Sequence, residues 1–288
     1  MELLQLSLLA IKVSVLTLVF ALGLNATTAE ATYLFRHPRR LLRGFLALAV
    51  VVPTVAAGFA LLVDLPRPVA IAIIAMSLSP VPPILPIAQL KGGARPEYAY
   101  GMLVATALLS IIVVPVAVLE VGAIFGEEAR FPPLAVAKIV GLSVLAPVAL
   151  GIAVRHFWTA GAERLGPWLT KVATVTLVMA VLPLLVRVWP AMRGLMSAGS
   201  TVAVVLAVLL VAIATGHLLG GPDREDRVAL AIGSAMRHPG VALAIARTHA
   251  PDEPLVPAAI LLYFFTALVL TGVYSAVRKR LATRETAA

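Results

Sequence analysis

The strongest constraint on this chain is a series of apolar segments, each about as long as a bilayer is thick. A hydrocarbon core of about 30 Å takes roughly 20 residues of helix. About nine such stretches follow one another, at roughly 4–26, 43–62, 68–90, 97–119, 134–155, 168–188, 200–219, 227–249 and 257–277. Hydrophobic residues make up 61% of the chain and charged residues 13%, against roughly 45–50% and about 25% in soluble domains. A soluble fold of 288 residues leaves too much surface facing water to hide that many apolar side chains. A soluble enzyme, a disordered chain and a nucleic-acid-binding domain are therefore excluded. The runs are continuous and do not alternate, which excludes a barrel. The expected fold class is an all-α polytopic membrane protein, with 1–288 forming one membrane domain joined by short connections. With no cysteine, disulfides and thiolate metal sites are excluded too.

The first stretch reads as a retained helix and not a cleaved leader, because Met1-Glu2 is acidic and Lys12 interrupts the run. Asn25-Ala26-Thr27 forms a glycosylation sequon beside a basic loop and reads as chance. Orientation follows from Lys and Arg, which favour cytoplasmic loops and account for the net charge of +9. Arg36, Arg39, Arg40 and Arg43 fill the first connection, Lys91 and Arg95 the third, Arg155, Arg164 and Lys171 surround the fifth, and Arg224 and Arg227 fill the seventh. Arg278, Lys279, Arg280 and Arg284 form the tail. The alternate connections hold Asp64, then Glu120, Glu127 and Glu128, then Asp252 and Glu253. The pattern predicts a multi-pass protein of the cell (inner) membrane, N-terminus outside and C-terminus cytoplasmic.

An offset of 159 positions carries Lys12-Val13 onto Lys171-Val172, Thr17-Leu18-Val19 onto Thr176-Leu177-Val178, and Pro80 onto Pro239. The matching helices run in opposite directions, so the chain reads as an inverted repeat, a common plan in secondary transporters. The first repeat is 1–119, of about four helices. The second is 134–280, of five, and the first lacks the counterpart of 134–155. In the third stretch, Ser79-Pro80-Val81-Pro82-Pro83-Ile84-Leu85-Pro86 cannot continue an α-helix, because each interior proline removes a donor and clashes one turn back. Arg237-His238-Pro239-Gly240 breaks the eighth at the matching place. Irregular backbone at that depth must be buried in protein or line a wet cavity, and paired interruptions point to a transport site.

These residues resemble the bile acid:sodium symporter superfamily. Leu22-Gly23-Leu24 and the Arg36-His37-Pro38-Arg39-Arg40 loop are similar to the family's opening helix and basic loop. The Ser79-Pro80 break with Lys91-Gly92-Gly93 resembles its first broken helix, and Ala231-Ile232 through Gly240 its second. The resemblance implies a core of six helices, a panel of three or four, and a substrate cavity before the crossing of the broken helices. It also implies sodium sites built on a Glu and a Gln-Asn pair of the second break. Here those positions hold Gly233 and Arg237-His238, and the polar ligands of the first break are replaced by proline and apolar residues.

Every Asp and Glu falls in a connection or at the end of a span, as Glu97 does, which excludes a carboxylate proton relay. The oxygen donors left for sodium are carbonyls and the hydroxyls of Ser77, Ser79, Thr106, Ser110 and Ser234. Arg237 is the most informative residue, since a charge at mid-membrane costs about 2.5–3.5 kcal/mol on insertion scales. Two readings stand. Its guanidinium takes the place of a coupling cation and attracts an anion, or it caps carbonyls and holds the fold. His238 is a proton carrier or a structural histidine. Lys12, about 12 Å into its helix, snorkels, and Gln89 lines the cytoplasmic mouth or packs. The expected substrate site comprises Arg237, His238, Ser234, Pro239, Ser79, Pro80, Ser77 and Thr106, with no catalytic residue, metal site or cofactor. The expected partners are a small organic anion and the lipid bilayer, and no feature specifies an oligomeric state. The leading function is secondary transport of the anion by alternating access, driven by proton, exchange, potential or residual sodium. The alternative is a membrane receptor or scaffold that retains the fold.

Overall fold

The structure is a computed structural model and describes residues 2–125 and 133–287. Among these, every regular element is helical. Eight segments are long and apolar enough to cross a membrane. They are α1 (Glu2–Asn25), α2 (Pro38–Leu62), α5 (Pro96–Phe125), α6 (Pro133–Phe157), α7 (Thr159–Met196), α8 (Thr201–Leu219), the pair α9 (Arg224–Ala235) and α10 (Pro239–His249), and α11 (Val256–Ala287). The remaining predicted span is divided into α3 (Arg67–Leu78) and α4 (Leu85–Gly92), each too short to cross alone. The predicted 168–188 span is the middle of the 38-residue α7, about 57 Å long. Glu127, Glu128 and the side chain of Glu120 lie outside the described residues.

Polar contacts between connections sort the chain into two ends. At one, Arg155 donates to the Leu24 carbonyl, Arg40 pairs with Asp223, and Arg224 donates to the Arg278 carbonyl. At the other, Ser200 donates to the Asp64 carbonyl and Arg67 faces Glu253. Every such contact joins connections of the same parity, so α3–α4 and α9–α10 run in opposite directions, as an inverted repeat requires. The first end is the basic one.

The helices pack as two groups. α1, α6 and α7 pack on one another. The tightest crossing is at Gly23 and Gly151, where a Cβ on Gly23 would meet the Val148 carbonyl. Small residues let membrane helices approach this closely, and van der Waals packing then holds them. Asn25, of the sequon, is committed to this interface and donates to Thr170 Oγ1 at 3.1 Å. The second group contains α2 to α5 and α8 to α11. The groups touch mainly through α5 on α6 and α7 on α11. Trp158, Trp168 and Trp189 are exposed near span ends, where interfacial aromatics sit.

The basic end of the second group is locked by an ion-pair cluster. Arg40 reaches Asp226 and Asp223, both at 2.7 Å, and Arg95 reaches Asp226 at 3.0 Å. Asp226 is only 1% exposed and sits in the first turn of α9, where a carboxylate complements the helix dipole. The cluster ties the start of α2, the turn before α5 and the start of α9 into one unit.

Two outcomes are expected. Gly23→Val overpacks the crossing and lowers stability by about 1–3 kcal/mol, read as a drop in Tm, while Gly58→Ala, with open space around it, leaves Tm unchanged. Asp226→Asn removes the buried carboxylate that both arginines share and lowers Tm, by less than the loss of a fully buried pair, because Arg40 keeps Asp223 and Arg95 keeps Asp223 and Glu225. The hydrogen bond from Arg40 holds the Asp223 carboxyl below the usual carboxylate range. Its folded-state value is depressed, so its stabilisation is complete above about pH 3.9 and is lost as pH falls through the folded value. A Tm series across acid pH reads that loss, and Asp223→Asn removes it.

Candidate functional site

Proline sets where both broken helices open. A residue before proline is driven out of the α region. Ser79, before Pro80, accordingly takes φ −73° and ψ 150°, ending α3 at Leu78. Helix resumes only at Leu85, with Pro86 in the first turn, where its missing N–H costs nothing. The break is therefore shorter than the 79–86 run of prolines implied. In the partner, Met236 (φ −86°, ψ 122°) and His238 (φ −81°, ψ 103°) are extended, and Pro239 starts α10. The two breaks meet, with the His238 N–H donating to the Pro80 carbonyl at 2.8 Å.

Arg237 lies at this junction and is 3% exposed. Nη1 donates to the Ser79 carbonyl at 3.1 Å, Nε to the Ser234 carbonyl at 3.3 Å, and Nη2 to the Leu48 carbonyl at 2.7 Å. Ser79 and Ser234 belong to the C-terminal ends of α3 and α9, where orphan carbonyls and the negative ends of two dipoles collect. Leu48 lies in a π-helical turn of α2, Leu46–Val51, a geometry that recurs at functional sites. Three elements thus converge on one guanidinium. Of its five N–H groups, these bonds use three. Tyr263 and Ser234 are fully buried nearby, and neither side-chain oxygen has a hydrogen-bond partner among the described residues.

Beside the junction is a cavity, partly open to the surroundings, of about 50 Å3 measured at the centres of water-sized spheres. It runs between α2, the end of α3 and α5. Ser77, Ser79, Pro80, Thr106 and Arg237 line it, whereas Ser234, His238 and Pro239 are not among its lining residues. The wall hydroxyls are turned back on their own backbone. Ser77 donates to the Ile74 carbonyl, Ser79 to Met76, Thr106 to Met102 and Ser110 to Ala107. What remains is an apolar chamber with one cation in its wall.

The rest of the expected set is structural. His238 Nδ1 accepts from the backbone N–H of Gly240 and Val241, making the ring the N-cap of α10. That occupies the lone pair a proton would need and caps the first turn of α10, where Gly240 is exposed. Gln89 is fully buried and donates to the Ala229 carbonyl at 2.8 Å, so it packs α4 against α9. Lys12 is exposed on α1. Sequence reasoning missed the Leu48 carbonyl, the Tyr263 hydroxyl and the burial of Asp226. A backbone acceptor carries no residue signature, but a tyrosine well inside an apolar span and an acid flanking one were legible.

The sodium that the resemblance implies does not fit the residues present. The position where the family carries its Glu holds Gly233, which supplies no carboxylate, and the Met102 side chain lies against it. Among the described residues no cluster of His, Asp or Glu is arranged to hold a metal. The carbonyls at the crossing are taken by Arg237, and a sodium ion about 4 Å from that charge would be repelled by roughly 4 kcal/mol at an effective dielectric of 20.

His238→Ala is expected to uncap α10 and cost about 1 kcal/mol in thermal unfolding. His238→Asn, whose side chain can cap in the same way, should recover most of it.

The comparison with curated proteins returns no match. The sequence does match the Sodium Bile acid symporter family over residues 13–194, from early in α1 almost to the end of α7 and through the first break. The match stops before α9 and the Arg237 break, where the residues depart from the family's pattern. It covers well over half of the chain, and the chain belongs to the sodium bile acid symporter family.

Proposed function

We propose that the protein is a secondary transporter that moves a small organic anion with an apolar body across the cell membrane by alternating access. The observation that carries this reading is the placement of Arg237, a single cation in the wall of an otherwise apolar cavity, at the crossing of two broken helices. Apolar wall suits an aliphatic or aromatic body. The two guanidinium N–H groups left over suit a carboxylate or sulfonate. Family membership supports transport over catalysis. The α1, α6 and α7 group forms the panel, and the other helices form the core that rocks against it. Excess Lys and Arg at one end supports placing that end, with the C-terminus, in the cytoplasm.

The test is a melting series on the purified protein with aliphatic and aromatic carboxylates and sulfonates of graded size, followed by flux of the best binder in proteoliposomes. Binding to the native state raises stability by about 2.7 kcal/mol at 100-fold excess over Kd. Thr106→Phe fills the cavity and should abolish both the shift and the flux. Thr106→Val, which loses only a hydroxyl bonded to its own helix, should preserve both. Binding without flux would favour a receptor, and no anion-dependent shift would refute the anion reading.

A further inference from the structure

We infer that Arg237 is a permanent, tethered cation that performs at the helix crossing the task a sodium ion performs in a sodium-coupled carrier, so that this protein holds its transport site together without sodium. The inference deepens the proposed function and rests on that reading of the site. Two half-helices ending at mid-membrane face each other with free carbonyls and negative dipole ends. Without a positive charge between them they repel. The guanidinium bonds the Ser79 carbonyl of one end, the Ser234 carbonyl of the other and the Leu48 carbonyl of α2. It is 3% exposed and has no carboxylate partner among the described residues, so the carbonyls are its counter-charge. Those three bonds span both halves of the repeat. A dissociable ion makes such a cage on binding and loses it on release, whereas a side chain keeps it through the whole cycle.

Three further observations agree. Gly233 supplies no carboxylate, and the Met102 side chain lies against it. The cavity wall carries no carboxylate to balance a bound cation, and its hydroxyls are held against their own helices as donors. Arginine keeps its charge under all physiological conditions, so occupancy of the cage does not vary with ion concentration or pH.

The experiment needs no knowledge of the substrate. The purified full chain is melted in sodium, potassium and choline chloride, each at about 150 mM to match ionic strength. The wild-type protein is expected to melt at the same temperature in all three. Arg237→Gln, which leaves the cage without charge, should melt lower in potassium chloride and recover by about 3 °C or more in sodium chloride, because sodium then has a vacant shell of carbonyls. A sodium-specific rise of that size in the wild-type protein overturns the inference, as does an Arg237→Gln protein that is as stable as wild type in potassium. If the Gln variant does not fold, Arg237→Lys decides. A folded, sodium-indifferent Lys variant supports the tethered charge, and a Lys variant that is unfolded in potassium salt overturns it. These readouts concern stability alone, so they stay separate from the flux assay. Absence of flux refutes transport, and a sodium requirement refutes only the tethered cation.

Discussion

Backbone carbonyls that cannot be left bare inside a membrane are the constraint on which this structure depends. Each unsatisfied polar group in hydrocarbon costs several kcal/mol, and two interrupted helices create many of them at one depth. The fold meets this cost by bringing the two interruptions together. One ladder-like bond, from the His238 N–H to the Pro80 carbonyl, joins them. The guanidinium of Arg237 satisfies three carbonyls, and the ring of His238 satisfies two N–H groups at the start of α10. The residues singled out by sequence as a binding site are thus first of all the completion of a broken hydrogen-bond ladder. Arg237, Ser79 and Pro80 combine that work with a face on the cavity, and of these Arg237 alone is charged.

The fold was largely legible because membrane helices announce themselves one at a time. Length and apolarity locate each span without reference to its neighbours, and proline locates each break, because both are local properties. The offset that carries Lys12 onto Lys171 and Pro80 onto Pro239 related the halves before any packing was known. The site was half legible. Arg237 stood out because charge is rare at that depth, and Ser77, Ser79, Pro80 and Thr106 do reach the cavity. Ser234, His238 and Pro239 were grouped with them by adjacency in sequence, but none lines this cavity; Ser234 is fully buried, and His238 and Pro239 are half-buried on the other side of the break. Their orientation is set by packing against helices hundreds of positions of backbone geometry away from any local pattern. The Leu48 carbonyl and the apolar wall from α2 and α5 were invisible for the same reason.

The two helix groups differ in how they are held. Small-residue contacts, the hydrogen bonds from Asn25 to Thr170 and from Arg155 to the Leu24 carbonyl, and an Arg155–Glu163 pair join α1, α6 and α7. The larger group is fastened at mid-depth by Arg237 and at its basic end by Arg40, Arg95, Asp223 and Asp226. Two clamps at different depths on α2 and α9 make rotation of either helix alone costly. Contacts between the groups are sparse by comparison, so the surface between them is the natural plane of relative motion.

The π-turn of α2 has a consequence for how the chain tolerates change in length. A π-turn carries one residue more than the α-helix it interrupts. Removing a single residue between Leu46 and Val51 would let α2 close into a regular helix, with better internal hydrogen bonding than before. The residues beyond would keep their place about the axis, because the wide turn had already absorbed the extra residue, so the buried Val52 and Ala56 would stay on the face they share with the core. The Leu48 carbonyl would return to its own helix and leave the guanidinium one acceptor short. In this helix the locally favoured geometry and the globally required one are a single residue apart, and the wide turn is where the Leu48 carbonyl is given to the crossing and not to its own helix.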